Sequence, residues 1–227
     1  QPFAAEVKAA GTLLIVQVQT LEDAAAAIDA GADIVVAQGA EAGGHGEKRG
    51  TLPLVAEVAD LLARRAPATL LCAAGGIADG RGLAAALMLG ADGVLVGSRF
   101  WAAEEALVHP NMHAAALAAS GDDSVRTSVT DIARRIDWPA RYNIRVLRND
   151  FTERWHGREA ALRTCIEAEA AGYIKATAEG NPRIATPIAG EAVGLIHAIE
   201  PAGVILERMV AEAEALLAGA GRFIGPA

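Results

Sequence analysis

Residues 33–50 read DIVVAQGAEAGGHGEKRG, and the fold turns on how that stretch divides. Its first part, Asp33-Ile34-Val35-Val36-Ala37, is rich in β-branched residues and shows no alternation. That is the pattern of a parallel strand covered on both faces. The run then breaks into a loop containing Gly39, Gly43, Gly44, Gly46 and Gly50, with Glu41 and His45 set among them. Glycine lets a backbone take positive φ and approach a ligand closely. A histidine just past the carboxyl end of a buried strand stands where open α/β sheets and (β/α) barrels place their chemistry.

Outward from this stretch the same grammar repeats. Leu13-Leu14-Ile15-Val16-Gln17-Val18, Thr69-Leu70-Leu71-Cys72-Ala73 and Asp92-Gly93-Val94-Leu95-Val96 all read as buried strands. Helices are expected over 3–10, 21–30, from Pro53 to 65, and over 80–89, with Thr20 and Asp79 as amino-terminal caps. Strands alternating with helices imply a parallel sheet with crossover helices. Beyond residue 104 the texture becomes helical, at 111–119, 158–171 and 204–218, with a short extended piece at 144–147. The expected fold is therefore α/β. Four parallel strands form half of a (β/α)₈ barrel over residues 1–105, and a mainly helical region follows over 106–227. No internal repeat beyond the β/α alternation stands out.

Composition narrows the class. The 227 residues are 52% hydrophobic and 21% charged, ample for a core and too mixed in sign for disorder. A net charge of −8 and no basic stripe argue against a nucleic-acid surface. The two cysteines, Cys72 and Cys165, form no disulfide framework or metal spacing, and Cys72 reads as a small buried hydrophobe. No apolar run reaches membrane-spanning length and no signal-peptide pattern is present, so a cytoplasmic protein is expected. The chain starts at Gln1 rather than methionine, which leaves two readings open: a piece of a longer chain, or a gene product itself truncated at the front.

Two glycine-bearing strand ends point to phosphate. Gly75-Gly76-Ile77 precedes the helix capped by Asp79, and Gly97-Ser98-Arg99 follows the next strand. Backbone N–H groups at such strand ends form anion sites, most often after the last two strands of a barrel. His45 is the one group in the glycine loop able to exchange protons near neutral pH. Gln38 ends its strand with an amide that both donates and accepts, which suits the edge of a heteroaromatic ring. Glu41 is expected to brace the loop through backbone N–H groups, and Lys48-Arg49 to be solvated. His109, His113, His156 and His197 read as structural. Trp101, Trp138 and Trp155 are expected to pack the carboxy-terminal helices.

Three stretches together resemble the nitronate monooxygenase family, formerly called 2-nitropropane dioxygenases. They are Ala37-Gln38-Gly39-Ala40-Glu41-Ala42-Gly43-Gly44-His45, Ala73-Ala74-Gly75-Gly76-Ile77-Ala78-Asp79-Gly80, and Gly90-Ala91-Asp92-Gly93-Val94-Leu95-Val96-Gly97-Ser98-Arg99-Phe100. The tail is similar too, at 148–159 and 189–196. The resemblance implies an FMN-dependent TIM barrel that oxidises alkyl nitronates with O₂ to a carbonyl compound and nitrite. It implies that His45 is the catalytic base and that Gln38 and Gly43 contact the flavin. Gly75, Gly76, Leu95, Val96, Gly97 and Ser98 would hold the FMN phosphate and ribityl chain. The family's first four barrel strands have no counterpart here, so the chain corresponds to the part from the fourth barrel helix onward. An open half-barrel has parallel edges at residues 13–18 and 92–96 that invite association into homo-oligomers. Two other readings stand beside this one: an FMN-dependent enoyl-acyl-carrier-protein reductase, which shares the Glu-Ala-Gly-Gly-His motif, and a truncated, inactive flavin-binding fragment.

Overall fold

The computed structural model describes residues 3–223. In chain order its elements begin with α1 (Ala4–Ala9), β1 (Ile15–Val18), α2 (Leu21–Asp29), β2 (Ile34–Gln38), β3 (Gly44–Gly46) and α3 (Thr51–Arg65). Next come β4 (Leu70–Ala74), α4 (Gly80–Met88), β5 (Gly93–Leu95), α5 (Ser98–Trp101) and α6 (Pro110–Ala118). The remainder is β6 (Ser124–Thr127), α7 (Val129–Arg134), β7 (Asn143–Leu147), α8 (Asp150–Trp155), α9 (Glu159–Thr164), α10 (Ile166–Ala178) and α11 (Ala202–Ala218). Two units form. Among the described residues the first holds 3–40, 48–96 and 203–223; the second holds 41–47 and 97–202.

The first unit is a parallel sheet of four strands in the order β1-β2-β4-β5. The register runs Val16↔Val35, Val36↔Cys72 and Ala73↔Val94. Val35, Val36 and Ala37 of β2 are buried, as the unbroken apolar run requires. Leu54, Val55, Val58 and Leu62 are buried on α3, spaced to share one helical face. Thr20 caps α2 by accepting from the Asp23 amide at 3.0 Å. Asp79 caps α4 by accepting from the Arg81 and Gly82 amides at 3.0 and 3.1 Å. Cys72 is only partly buried, more open than expected, and burial followed by the Asp92 charge pushes its thiol pKa up.

The structure also exposes a short repeat that the alternation conceals. Gly31-Ala32-Asp33 leads into β2, and Gly90-Ala91-Asp92 leads into β5. Each glycine ends its helix in the left-handed region, at φ 75° and 95°. Each alanine is buried. Each aspartate then accepts a backbone amide from the neighbouring strand segment at 2.8 Å: Asp33 from Leu14, and Asp92 from Leu71. The same three residues thus stop a helix, fill the sheet's lower layer and pin the amino end of the adjacent strand segment.

The second unit contains an antiparallel sheet in the order β3-β7-β6. The 39–50 stretch, expected to be all loop, contributes β3; the extended piece expected near 144–147 is β7. The expected helix over 158–171 is two helices, α9 and α10, broken at Cys165 where φ is −119° and ψ 22°. Helices α7 and α8, unread in the sequence, pack with them around Val129, Phe151, Trp155, Leu162 and Tyr173.

The Leu14 amide, followed by the Lys8 ammonium, holds the Asp33 carboxyl below the usual carboxylate range. A depressed folded-state pKa contributes stability that is full above the unfolded value and lost as pH falls through the folded one. Asp33→Asn should therefore lower the urea midpoint at pH 7, and the gap from wild type should close as pH drops below 3.8. A gap independent of pH would assign the effect to packing alone.

Candidate active site

Each unit carries its own part of the sequence-predicted site. In the first, β2 ends at Gln38, which is buried. Its Oε1 accepts from Gln17 Nε2 and from Gln19 Nε2, both at 2.7 Å. The acceptor half of the amide is thus engaged within the protein, by two residues that the sequence reading passed over. Their signal was the Gln-Val-Gln spacing at the end of the first strand. At Gly39 a Cβ would run into the backbone of Thr51, so only glycine lets α3 start this close to β2. Thr51 Oγ1 in turn donates to the Gly75 carbonyl at 3.1 Å. Gly75 and Gly76 follow β4 with φ of 104° and 74°, two successive left-handed residues that turn the backbone sharply before α4. Leu95 ends β5 beside Ala74 of β4, and Val96 follows it.

In the second unit, Gly43 lies directly against the 189–190 backbone. A Cβ there would stand 2.7 Å from both Ala189 C and Gly190 N. The Gly190 amide donates to Ser98 Oγ at 2.8 Å, and Glu191 donates its amide to the Glu41 carbonyl at 2.9 Å. Gly190 therefore ties together Gly43 and Ser98, two positions the sequence singled out separately. Gly97 caps α5, and a Cβ on it would meet nothing within 4 Å. Glu41 contributes a backbone carbonyl to this bracing, which the sequence reading assigned to backbone N–H groups.

His45 is the central residue of β3, paired with Ile144 of β7. Its Nε2 lies 2.8 Å from Asp131 Oδ2, with only 15% of the His45 side chain and 6% of the Asp131 side chain exposed. Trp138 stacks on the imidazole, with centroids 3.8 Å apart and planes 15° apart, and Tyr142 meets Trp138 edge-on. Trp138 thus has a different role from the helix packing expected of it. Trp155 does pack among the helices, and Trp101 lies against the cluster around Ala116 and Val193. Asp131 was missed; a carboxylate inside the apolar stretch 129–133 was its only trace.

Behind β3, Arg126 and Arg145 stand opposite each other on β6 and β7. Arg145 pairs with Glu191 at 2.8 Å, and Arg126 donates to the Asn143 and Ala42 carbonyls. Burial, then the neighbouring Arg145, pushes the Arg126 guanidinium down to about 10. A cavity of about 330 Å³ also lies in this unit, walled by Trp101, Met112, Thr130, Ile144, Val146 and Tyr173. Its wall includes the cross-strand partner of His45.

The nitronate monooxygenase family model matches residues 1–212, and the chain belongs to that family. It is 35% identical over 214 residues to a nitronate monooxygenase of Neurospora crassa, covering 91% of this chain and 55% of that protein. Among solved structures it resembles FabK from Thermotoga maritima, with TM-score 0.83 and 33% identity over 96% of this chain and 66% of that one. It also resembles a nitroalkane oxidase from Streptomyces ansochromogenes, with TM-score 0.78 and 28% identity over 96% and 62%. The chain spans about half the length of the relatives it matches.

Gly43→Ala and Gly190→Ala should each destabilise the second unit by about 1–3 kcal/mol, the usual cost of overpacking. Thermal melting by circular dichroism checks this. Unchanged midpoints in both variants would show that the 41–43 and 189–191 backbones separate freely.

Proposed function

We propose that this chain is the base-bearing and phosphate-binding part of an FMN-dependent enzyme that oxidises alkyl nitronates. Nitroalkanes would enter through the nitronate, and O₂ would be the oxidant, with a carbonyl compound and nitrite as products. The observation that carries the proposal is His45, held by Asp131 and Trp138 in a largely buried setting within a chain of the nitronate monooxygenase family. The likeness to a nitroalkane oxidase supports the substrate class.

The residues present fit the cofactor. Gly75 and Gly76 take positive φ, which turns their amides out of the strand ladder, and the space over Gly97 is free of protein atoms. As the family resemblance implies, Gly75, Gly76, Leu95, Val96, Gly97 and Ser98 hold the phosphate and ribityl chain, Gly43 contacts the flavin, and Gln38 meets its ring through Nε2. FMN, when bound, supplies the electron acceptor and the route to O₂. His45 takes the proton from the carbon beside the nitro group. The four-stranded parallel sheet of the first unit corresponds to the carboxy-terminal half of a (β/α)₈ barrel.

Two measurements test this. Gly76→Val and Gly97→Val should abolish FMN binding followed by flavin fluorescence; unchanged affinity in both would defeat the phosphate assignment. In FMN-loaded protein, His45→Asn should slow oxygen uptake with a neutral nitroalkane by about 10²–10⁴-fold, the worth of a positioned base. The anionic nitronate, which needs no proton removed, should suffer less. Consumption of NADH with a crotonyl thioester, and no oxygen uptake with a nitronate, would replace this reading with the reductase.

A further inference from the structure

We infer that Asp131 is a positioning residue that fixes His45 as its Nε2–H tautomer, so that Nδ1 is the atom that receives the proton. This rests on His45 being the base, and adds which nitrogen acts and what holds it. A neutral imidazole carries one N–H and one lone pair, and its tautomer is set by whatever meets the other nitrogen. An ionised carboxylate only accepts. At 2.8 Å from Asp131 Oδ2, Nε2 must therefore carry the hydrogen, which leaves the lone pair on Nδ1. No hydrogen bond from Nδ1 occurs among the described residues.

The ring is held as well as tautomerised. Trp138 covers one face at a 15° interplanar angle. A half-turn of the imidazole would put the Cε1–H where Nε2 now stands and break the Asp131 bond. The carboxylate is itself poorly supplied for a structural role. Asp131 is 4% exposed, its Oδ1 has no hydrogen-bond partner, and Arg134 Nη1 stands off at 4.0 Å. A buried carboxylate left in that state weakens the fold, so its placement against a histidine is the arrangement of a functional pair. In the reaction the C–H bond beside the nitro group breaks and an Nδ1–H bond forms. The electron pair passes into the nitro group to give the nitronate, and the resulting imidazolium charge lies beside Asp131.

The test reads the tautomer directly. Proton–nitrogen correlation spectra of ¹⁵N-histidine-labelled protein should show His45 as the Nε2–H form alone, with a downfield, slowly exchanging Nε2 proton. Asp131→Asn, whose amide can donate or accept, and Asp131→Leu, which does neither, should give a tautomer mixture and lose that proton. Their thermal midpoints should match or exceed wild type. In FMN-loaded protein both should lose rate on a neutral nitroalkane by about 10-fold or more, within the range of positioned general bases, with the preformed nitronate less affected. Wild type in the Nδ1–H form, or both variants keeping pure Nε2–H with its slow proton, would overturn the inference. If His45→Asn keeps full activity, the base reading itself fails; if His45→Asn is inactive while the Asp131 variants keep wild-type rates on both substrate forms, only the positioning role falls.

Discussion

Strand β2 is hydrogen-bonded along both edges and covered on both faces, and this constraint leaves the first unit one exit for polar chemistry. Every backbone group inside the strand is spent on β1 or β4, and its side chains from Val35 to Ala37 can only be apolar. Gln38 is the first residue able to carry a polar side chain, and Gly39 the first able to leave the sheet past Thr51. The paired aspartates act at the opposite end, fixing where the neighbouring strand segments enter. The strand therefore sets both ends of the layer: a stapled entry below and a polar mouth above.

The first unit was largely legible because its signals are local. Unbroken β-branched runs, capping residues such as Thr20 and Asp79, and glycine stops each act within a few residues of themselves. The second unit was less so, because its structure depends on distant pairing. Gly44-His45-Gly46 has no strand propensity of its own, and it is extended because β7, almost a hundred residues later, supplies the hydrogen bonds. The Gly75–Gly76 turn could be read from composition. The attachment of Gly43 to Gly190 could not, since each is one glycine among 24 until the backbones are seen in contact. Asp131 was hidden for the same reason: its burial and its partner arise only from tertiary packing.

The second unit accepts electrostatic costs around β3 that a purely structural sheet would avoid. Arg126 and Arg145 are like charges directly opposite each other, an unfavourable pair that Glu191 and the Asn143 and Ala42 carbonyls offset. On the other side of His45, a carboxylate oxygen is left without a hydrogen bond, at a typical cost of about 1–3 kcal/mol. Both features adjoin the strand that carries the imidazole. Violations of ordinary packing rules concentrate where function asks for them, and here they concentrate on either side of one residue.

The double hydrogen bond to Gln38 has a consequence for recognition. A surface glutamine is a symmetric partner, because a half-turn of its amide exchanges oxygen for nitrogen at little cost. Gln38 has lost that freedom: turning it would set its own N–H₂ against the N–H groups of Gln17 and Gln19 and forfeit two bonds of 2.7 Å. Which end of its amide accepts within the protein is decided by those two neighbours. A ligand meeting Gln38 would therefore meet a donor of fixed orientation, one suited to a ring nitrogen or a carbonyl oxygen.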